Sequence, residues 1–221
     1  MLKCPAFAQF ISVPEPAQQR SRDALERMLA AGEQLLAKNA FENASVAQIA
    51  EQGSSSVGTF YRVLQDKDTL SQLLIQRFFQ STIATMDRLT HPADWENRPL
   101  HQFIFALSEC LVGLTKGRQG VLRALILRAS KDTDFRDRVH QLNEHLASRV
   151  VEVLKLHTQE VQHPEPAKAM QICIHFLIGA LNQHTVTGNL PQISQEEMIQ
   201  EFAEIILAYL RVTSRASHTE N

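Results

Sequence analysis

SVAQIAEQGSSSVGTFYRVLQDKDTL, residues 45–70, marks three helix starts within one short stretch. Ser45 with Gln48 three positions later is a capping box, in which a hydroxyl accepts from one free backbone N–H and the Gln side chain accepts from another. It opens a short helix with Val46, Ile49 and Ala50 inward. Gly53-Ser54-Ser55-Ser56 supplies turn chemistry, and Ser56 is a fresh N-cap for a second short helix over Val57–Leu64. Phe60 lies three residues after Val57 and four before Leu64, so it belongs to the buried stripe. Asp66 then caps a longer helix through Leu70, Leu73, Leu74 and Phe78 towards Thr90. Two short helices joined by a turn of about four residues match a helix-turn-helix, whose second helix enters the DNA major groove.

Outward from this stretch the chain reads as helix throughout. Leu25, Met28, Leu29, Leu35 and Leu36 form one stripe of a helix from about Ser21 to Ala40. Downstream, His91-Pro92 interrupts, and Pro99 leads into a stripe of Leu100, Phe103, Ile104, Leu107, Leu111 and Leu114. Val121, Leu122, Leu125 and Ile126 mark a shorter helix, and Phe135, Val139, Leu142, Leu146, Val150 and Val153 a long one starting near Asp132. Pro164 and Pro166 open a helix whose segment from Met170 to Leu181 is apolar around almost its whole circumference, which predicts burial on all sides. Ser194 and Glu197 form a second capping box before Met198, Phe202, Ile205, Ile206, Tyr209 and Leu210. The expectation is an all-α protein of about nine helices: a flexible arm over 1–20, a helix-turn-helix domain over 21–66, a larger helical domain over 67–213, and a frayed tail over 214–221.

Composition narrows the class. The chain has 221 residues, 44% apolar and 21% charged, enough for a core and too apolar for global disorder. Formal charge is −2, so nothing overall announces nucleic acid or membrane as partner. The three cysteines, Cys4, Cys110 and Cys173, are far apart and odd in number, which suits a reducing cytoplasm. The longest apolar run, Ile172–Leu181, is ten residues, against the roughly 20 that span a bilayer, and the N-terminal stretch is poor as a signal peptide. A soluble protein without membrane attachment is expected.

The helix-turn-helix stretch resembles the DNA-binding signature of the TetR family of bacterial transcriptional regulators, I-A-x-x-A-G-V-S-x-G-T-F-Y-x-x-F-x-x-K-x-x-L. Ile49, Ala50, Ser56, Gly58, Thr59, Phe60, Tyr61, Lys67 and Leu70 fall on it in register. Gly53-Ser54-Ser55 stands where the pattern has Ala-Gly-Val, and Leu64 where it has a second aromatic. The resemblance implies a homodimeric regulator, acting as a repressor on a palindromic operator. A small-molecule effector entering the second domain would release it by tilting the helix that starts at Asp66. It implies no enzymatic activity, no cofactor and no metal.

Each position also has a physical reading. Tyr61 and Lys67 carry polar tips on apolar stems suited to phosphates, and Val57, Thr59 and Arg62 sit where a recognition helix approaches bases. Ser45 and Ser56 cap helices whose free N–H groups attract phosphate, and Gly58 allows close approach. An effector pocket is expected among Phe103, Leu107, Leu111, Leu125, Phe135, Leu142 and Phe176, with His145 or His175 as polar anchor. Dimerisation is expected through the last two helices, at Cys173, Leu177, Ile178, Leu181, Phe202, Ile206 and Tyr209.

Other chemistry fits poorly. Gly53 to Thr59 has P-loop glycine spacing but no Lys, position 57 is Val and not the Ser of a G-x-S-x-G turn, and no two His lie three or four residues apart. Between Lys116 and Arg138 seven basic residues face three acidic ones, read as a solvated face. Residues 20–67 hold six of each sign. This neutrality leaves a second reading open, a helical adaptor or signalling protein that has lost DNA binding.

Overall fold

Side-chain caps fix where four helices begin. Ser45 Oγ accepts from Gln48 N at 3.2 Å and Gln48 Oε1 accepts from Ser45 N at 2.8 Å. Ser194 and Glu197 make the same reciprocal pair, at 3.1 and 2.6 Å. Ser56 Oγ accepts from Thr59 N at 3.1 Å, and Asp66 Oδ1 from Thr69 N at 2.7 Å. Each cap satisfies a backbone donor that the first helical turn cannot pair internally.

The computed structural model describes residues 18–188 and 193–213. Most of the expected N-terminal arm, with Cys4, and the expected frayed tail lie outside them. Among the described residues the chain forms α1 (Gln19–Ala37), α2 (Val46–Gln52), α3 (Val57–Leu64), α4 (Lys67–Leu89), α5 (Leu100–Thr115), α6 (Gln119–Lys131), α7 (Thr133–Leu154), α8 (Pro166–Thr187) and α9 (Gln195–Leu210). The all-α expectation holds, and extended pairing among the described residues is limited to an isolated antiparallel bridge between Val161 and Val212. No helix of the described residues is long and apolar enough to cross a membrane.

The chain divides into two compact units. One is the described part of Met1–Thr82 together with Thr115–Val139; the other is Ile83–Leu114 with the described part of His140–Asn221. In the first unit Met28, Ile49, Phe60, Leu64, Leu70, Leu74 and Ile75 are almost wholly buried. Each such side chain contributes roughly 1.5 to 3 kcal/mol by leaving water. Arg77 of α4 ties to α1, 3.0 Å from Glu26 and 3.5 Å from Glu33. α6 meets α1 backbone to backbone, since a Cβ added at Gly120 would lie 1.9 Å from the Leu36 carbonyl oxygen.

In the second unit Phe103, Ile104, Leu107, Val150, Met170, Ile174 and Ile206 form the core, and the Trp95 ring meets Phe103 edge-on at 5.1 Å. Glu160 pins the unit's chain crossings: one carboxylate oxygen accepts from Leu100 N at 3.2 Å, the other lies 2.9 Å from His157 Nδ1. Within one protomer α8 is covered on one side only, not buried on all sides as its apolar circumference predicts. Ala169, Met170, Cys173, Ile174, Leu177 and Leu181 are buried, but Phe176 is 74% exposed and Ile172 and Ile178 are half-buried. Within one protomer the helix has neighbours on only part of its circumference.

Candidate nucleic-acid interface

α3 separates its side chains by face. Phe60, Val63 and Leu64 are buried, while Val57 is 41% and Tyr61 52% exposed, with Gly58 and Arg62 also in solvent. Phe60 anchors the helix and its ring meets Tyr61 edge-on at 5.8 Å, which helps orient the phenol. Thr59 is half-buried, and its hydroxyl lies 3.0 Å from Ser56 Oγ at the cap. The expected DNA-facing residues Ser45, Ser56, Val57, Gly58, Tyr61 and Arg62 are all exposed.

The turn before α3 is strained. Ser54 has φ 47°, in the left-handed region where an L side chain costs about 1 to 2 kcal/mol. This is where the resembling pattern carries Gly. The neighbouring Gly53 sits close under α1: a Cβ there would lie 3.3 Å from Met28 Cα, and Arg27 Nε donates to the Gly53 carbonyl at 3.2 Å. Ser54→Gly removes the strain but adds freedom to the unfolded chain, worth about 0.5 to 1 kcal/mol. A net gain of about 0.5 to 1 kcal/mol is expected, read as a higher urea midpoint at unchanged slope. An unchanged or lower midpoint would show that the turn does not strain Ser54.

A second tight turn ends α3. Gln65 has φ 64° and ψ −51°, and Asp66 N donates to Leu64 O at 2.7 Å, a γ-turn that starts α4 directly behind α3. The Thr69 backbone N–H, and then its hydroxyl, hold the Asp66 carboxyl below its ordinary range, keeping the cap ionised at neutral pH.

Lys67 differs most from its expected role as a phosphate-contacting side chain. Its ammonium donates to Glu42 O at 2.8 Å and Ala44 O at 3.0 Å and sits 5.0 Å from the centre of the Phe41 ring. It therefore fastens the loop before α2 to the start of α4. An ammonium has three donors, so a third remains for an outside acceptor. Phe41 and Arg27, which hold the interface in place, carried no motif in the sequence. Their partners lie more than twenty positions away.

The expected effector residues divide between the units: Leu125 and Phe135 belong to the first, Phe103, Leu107, Leu111, Leu142, His145, His175 and Phe176 to the second. All the apolar ones are buried except Phe176, whose exposure keeps it from lining an interior cavity of one protomer. His175 is held on both ring nitrogens, by Gln171 O at 2.7 Å and Glu144 at 3.3 Å. His145 Nε2 and His184 Nδ1 are buried without a hydrogen-bond partner among the described residues. Of the expected dimer residues, Cys173, Leu177, Leu181, Phe202 and Ile206 are buried inside the protomer, Ile178 is half-buried and Tyr209 exposed. The exposed large apolar side chains of α8 and α9 are Phe176, Val186, Ile205 and Tyr209. Burial pushes the Cys173 thiol up to about 11, leaving it protonated at neutral pH.

No protein-family model and no curated protein matches the chain. Solved structures do match its fold. A protein from Mesorhizobium loti assigned to the TetR family superposes with TM-score 0.66 at 16% identity, covering 88% of this chain and 98% of its own. A protein from Saccharomonospora viridis, assigned as a transcriptional regulator and solved in complex with choline, gives TM-score 0.69 at 15% identity over 87% and 98%. A TetR transcription regulator from Haloarcula marismortui gives 0.65 at 14% over 86% and 97%. The fold of the chain is that of the TetR-family regulators.

Proposed function

We propose that this chain is a DNA-binding transcriptional repressor that reads a two-fold operator as a homodimer and lets go when a small molecule binds. The observation that carries this reading is α3: a short helix with a capped N-terminus, one face anchored by Phe60 and Leu64, the other offering Val57, Gly58, Tyr61 and Arg62 to solvent. Arg62 and Val57 approach bases, with Thr59 behind them, while Tyr61, Ser45, the α3 N-terminus and the third N–H of Lys67 meet phosphates. One such helix spans few base pairs, so two copies read half-sites about 34 to 36 Å apart or a multiple of that.

The second copy joins through α8 and α9, which expose Phe176, Ile205 and Tyr209 to solvent and leave Ile178 half-buried, while Cys173, Leu177, Leu181, Phe202 and Ile206 are buried. The effector sits among the apolar side chains that α5, the later part of α7 and α8 contribute to the second unit. The unpartnered ring nitrogens of His145 and His184 support a polar anchor there, and the choline-bound neighbour supports a small-molecule signal. Release needs only that the effector bind the DNA-incompetent arrangement more tightly. Such a regulator performs no chemistry and needs no cofactor.

Selection from random duplexes with the full-length protein tests the reading. A two-fold motif is expected, and Arg62→Ala should flatten preference at one position of each half-site, with a loss of about 5- to 150-fold for the wild-type sequence. If no motif emerges, the adaptor reading replaces this one.

A further inference from the structure

A DNA reader needs positive charge, and its helix-turn-helix does not hold it. Residues 18–82 carry seven Lys and Arg against seven Asp and Glu. The segment 115–139, which folds into the same compact unit, adds seven basic against three acidic residues. The positive excess of the unit therefore comes from α6 (Arg123, Arg128, Lys131) and the loop before it (Lys116, Arg118), since residues 132–139 carry two basic against three acidic side chains, although the complete chain is net negative. Since phosphate neutralisation supplies most nonspecific DNA affinity, a neutral reader alone would bind weakly.

Much of this excess is tied down inside the unit. Arg118 lies over the Phe78 ring at 5.7 Å, and Arg123 bonds Asn39. Arg136 and Arg138 bond within α7, to Thr133 Oγ1 and Asp134 O. Arg128 faces Asp68 at 3.6 Å, Asp132 at 3.8 Å and the Phe135 ring at 5.2 Å. The loop before α2, the start of α4 and the end of α6 line a cleft of about 510 Å³ that holds three cations, Lys67, Arg128 and Lys131, and three carboxylates, Glu42, Asp68 and Asp132. Arg128 alone faces carboxylates, so Lys67 and Lys131 are the cations of the cleft with no carboxylate partner among the described residues. Lys131 is exposed, and no described side chain pairs with it.

We propose that the DNA-binding surface extends beyond the helix-turn-helix onto the end of α6, with Lys131 contacting a backbone phosphate beside the one reached by Lys67. The proposal rests on the DNA-binding reading above and deepens it. Such a contact carries no sequence information; it adds affinity and salt dependence. It also accounts for a neutral helix-turn-helix working as a reader.

The test uses full-length Lys131→Gln, Lys131→Arg and wild type, titrated against a long random-sequence duplex between about 50 and 200 mM KCl. For Lys131→Gln the slope of log affinity against log salt should fall by about one per protomer, with several-fold weaker binding. Lys131→Arg should keep the slope, and neither change should shift the melting temperature or the selected motif. A wild-type slope in Lys131→Gln overturns this inference and leaves the DNA-binding reading standing. Absence of salt-dependent DNA binding by the wild type overturns both.

Discussion

Gly120→Ala is expected to break the contact of α6 with α1 and lower the melting temperature by roughly 10 °C. A helical Gly replaced by Ala ordinarily gains up to about 1 kcal/mol of helix propensity, so the default sign is stabilising. Here the new methyl would lie 1.9 Å from the Leu36 carbonyl oxygen, 2.4 Å from its carbon and 2.8 Å from Cα. All three are backbone atoms of α1, so no side chain can swing away. Either α6 lifts by more than an ångström or α1 frays, and overpacking of this kind costs about 1 to 3 kcal/mol or more. A loss near 3 kcal/mol corresponds to the stated shift for a chain of this size. The neighbouring Arg123–Asn39 bond should go with it. Gly113→Ala, in α5 with nothing within 4 Å of the added Cβ, is the control and should be neutral or stabilising. If Gly120→Ala melts at or above wild type, the close α1–α6 contact does not exist. DNA affinity should fall in step, because the segment bearing Lys131 would no longer be held against the reader.

Ile205→Asp is expected to give monomers and to abolish tight operator binding while leaving the protomer folded. Ile205 is 51% exposed on α9, so a carboxylate there meets water in an isolated chain. At a seam with the second copy the same carboxylate would be desolvated without a partner, at a cost of several kcal/mol. Sedimentation should report 24.9 kDa in place of twice that mass. Operator affinity should drop by more than about 100-fold, since each half-site then binds without the effective concentration its partner provides. Circular dichroism should be unchanged. A variant that stays dimeric and keeps its affinity moves the interface away from α9.

The reading of residues 45–70 needed no structure because caps and stripes act over three or four positions. Ser45 and Gln48, Ser56, Asp66 and Phe60 all do what their spacing predicts. The same locality explains α9, whose capping box and buried Met198, Phe202 and Ile206 follow from period and cap alone. Gly120 left a trace, since an isolated Gly in a helical stretch often marks close packing, but nothing in the sequence named Leu36 as its neighbour.

What only the tertiary structure decided lies in contacts between distant positions. Lys67 reads as a solvent-facing or phosphate-facing cation, yet it closes on Glu42 and Ala44, 25 and 23 positions away. Arg123 reads as part of a solvated basic face, yet it bonds Asn39, 84 positions away. α8 reads as buried all round, yet Phe176 stands in solvent, because apolar composition sets which faces avoid water but not whether the protomer covers them. Local sequence sets cap, period and face through backbone donors and side-chain direction within a turn. Which charge neutralises which, and which helix approaches closely enough to require a Gly, depends on how the elements pack, and that placement is encoded in the whole chain at once.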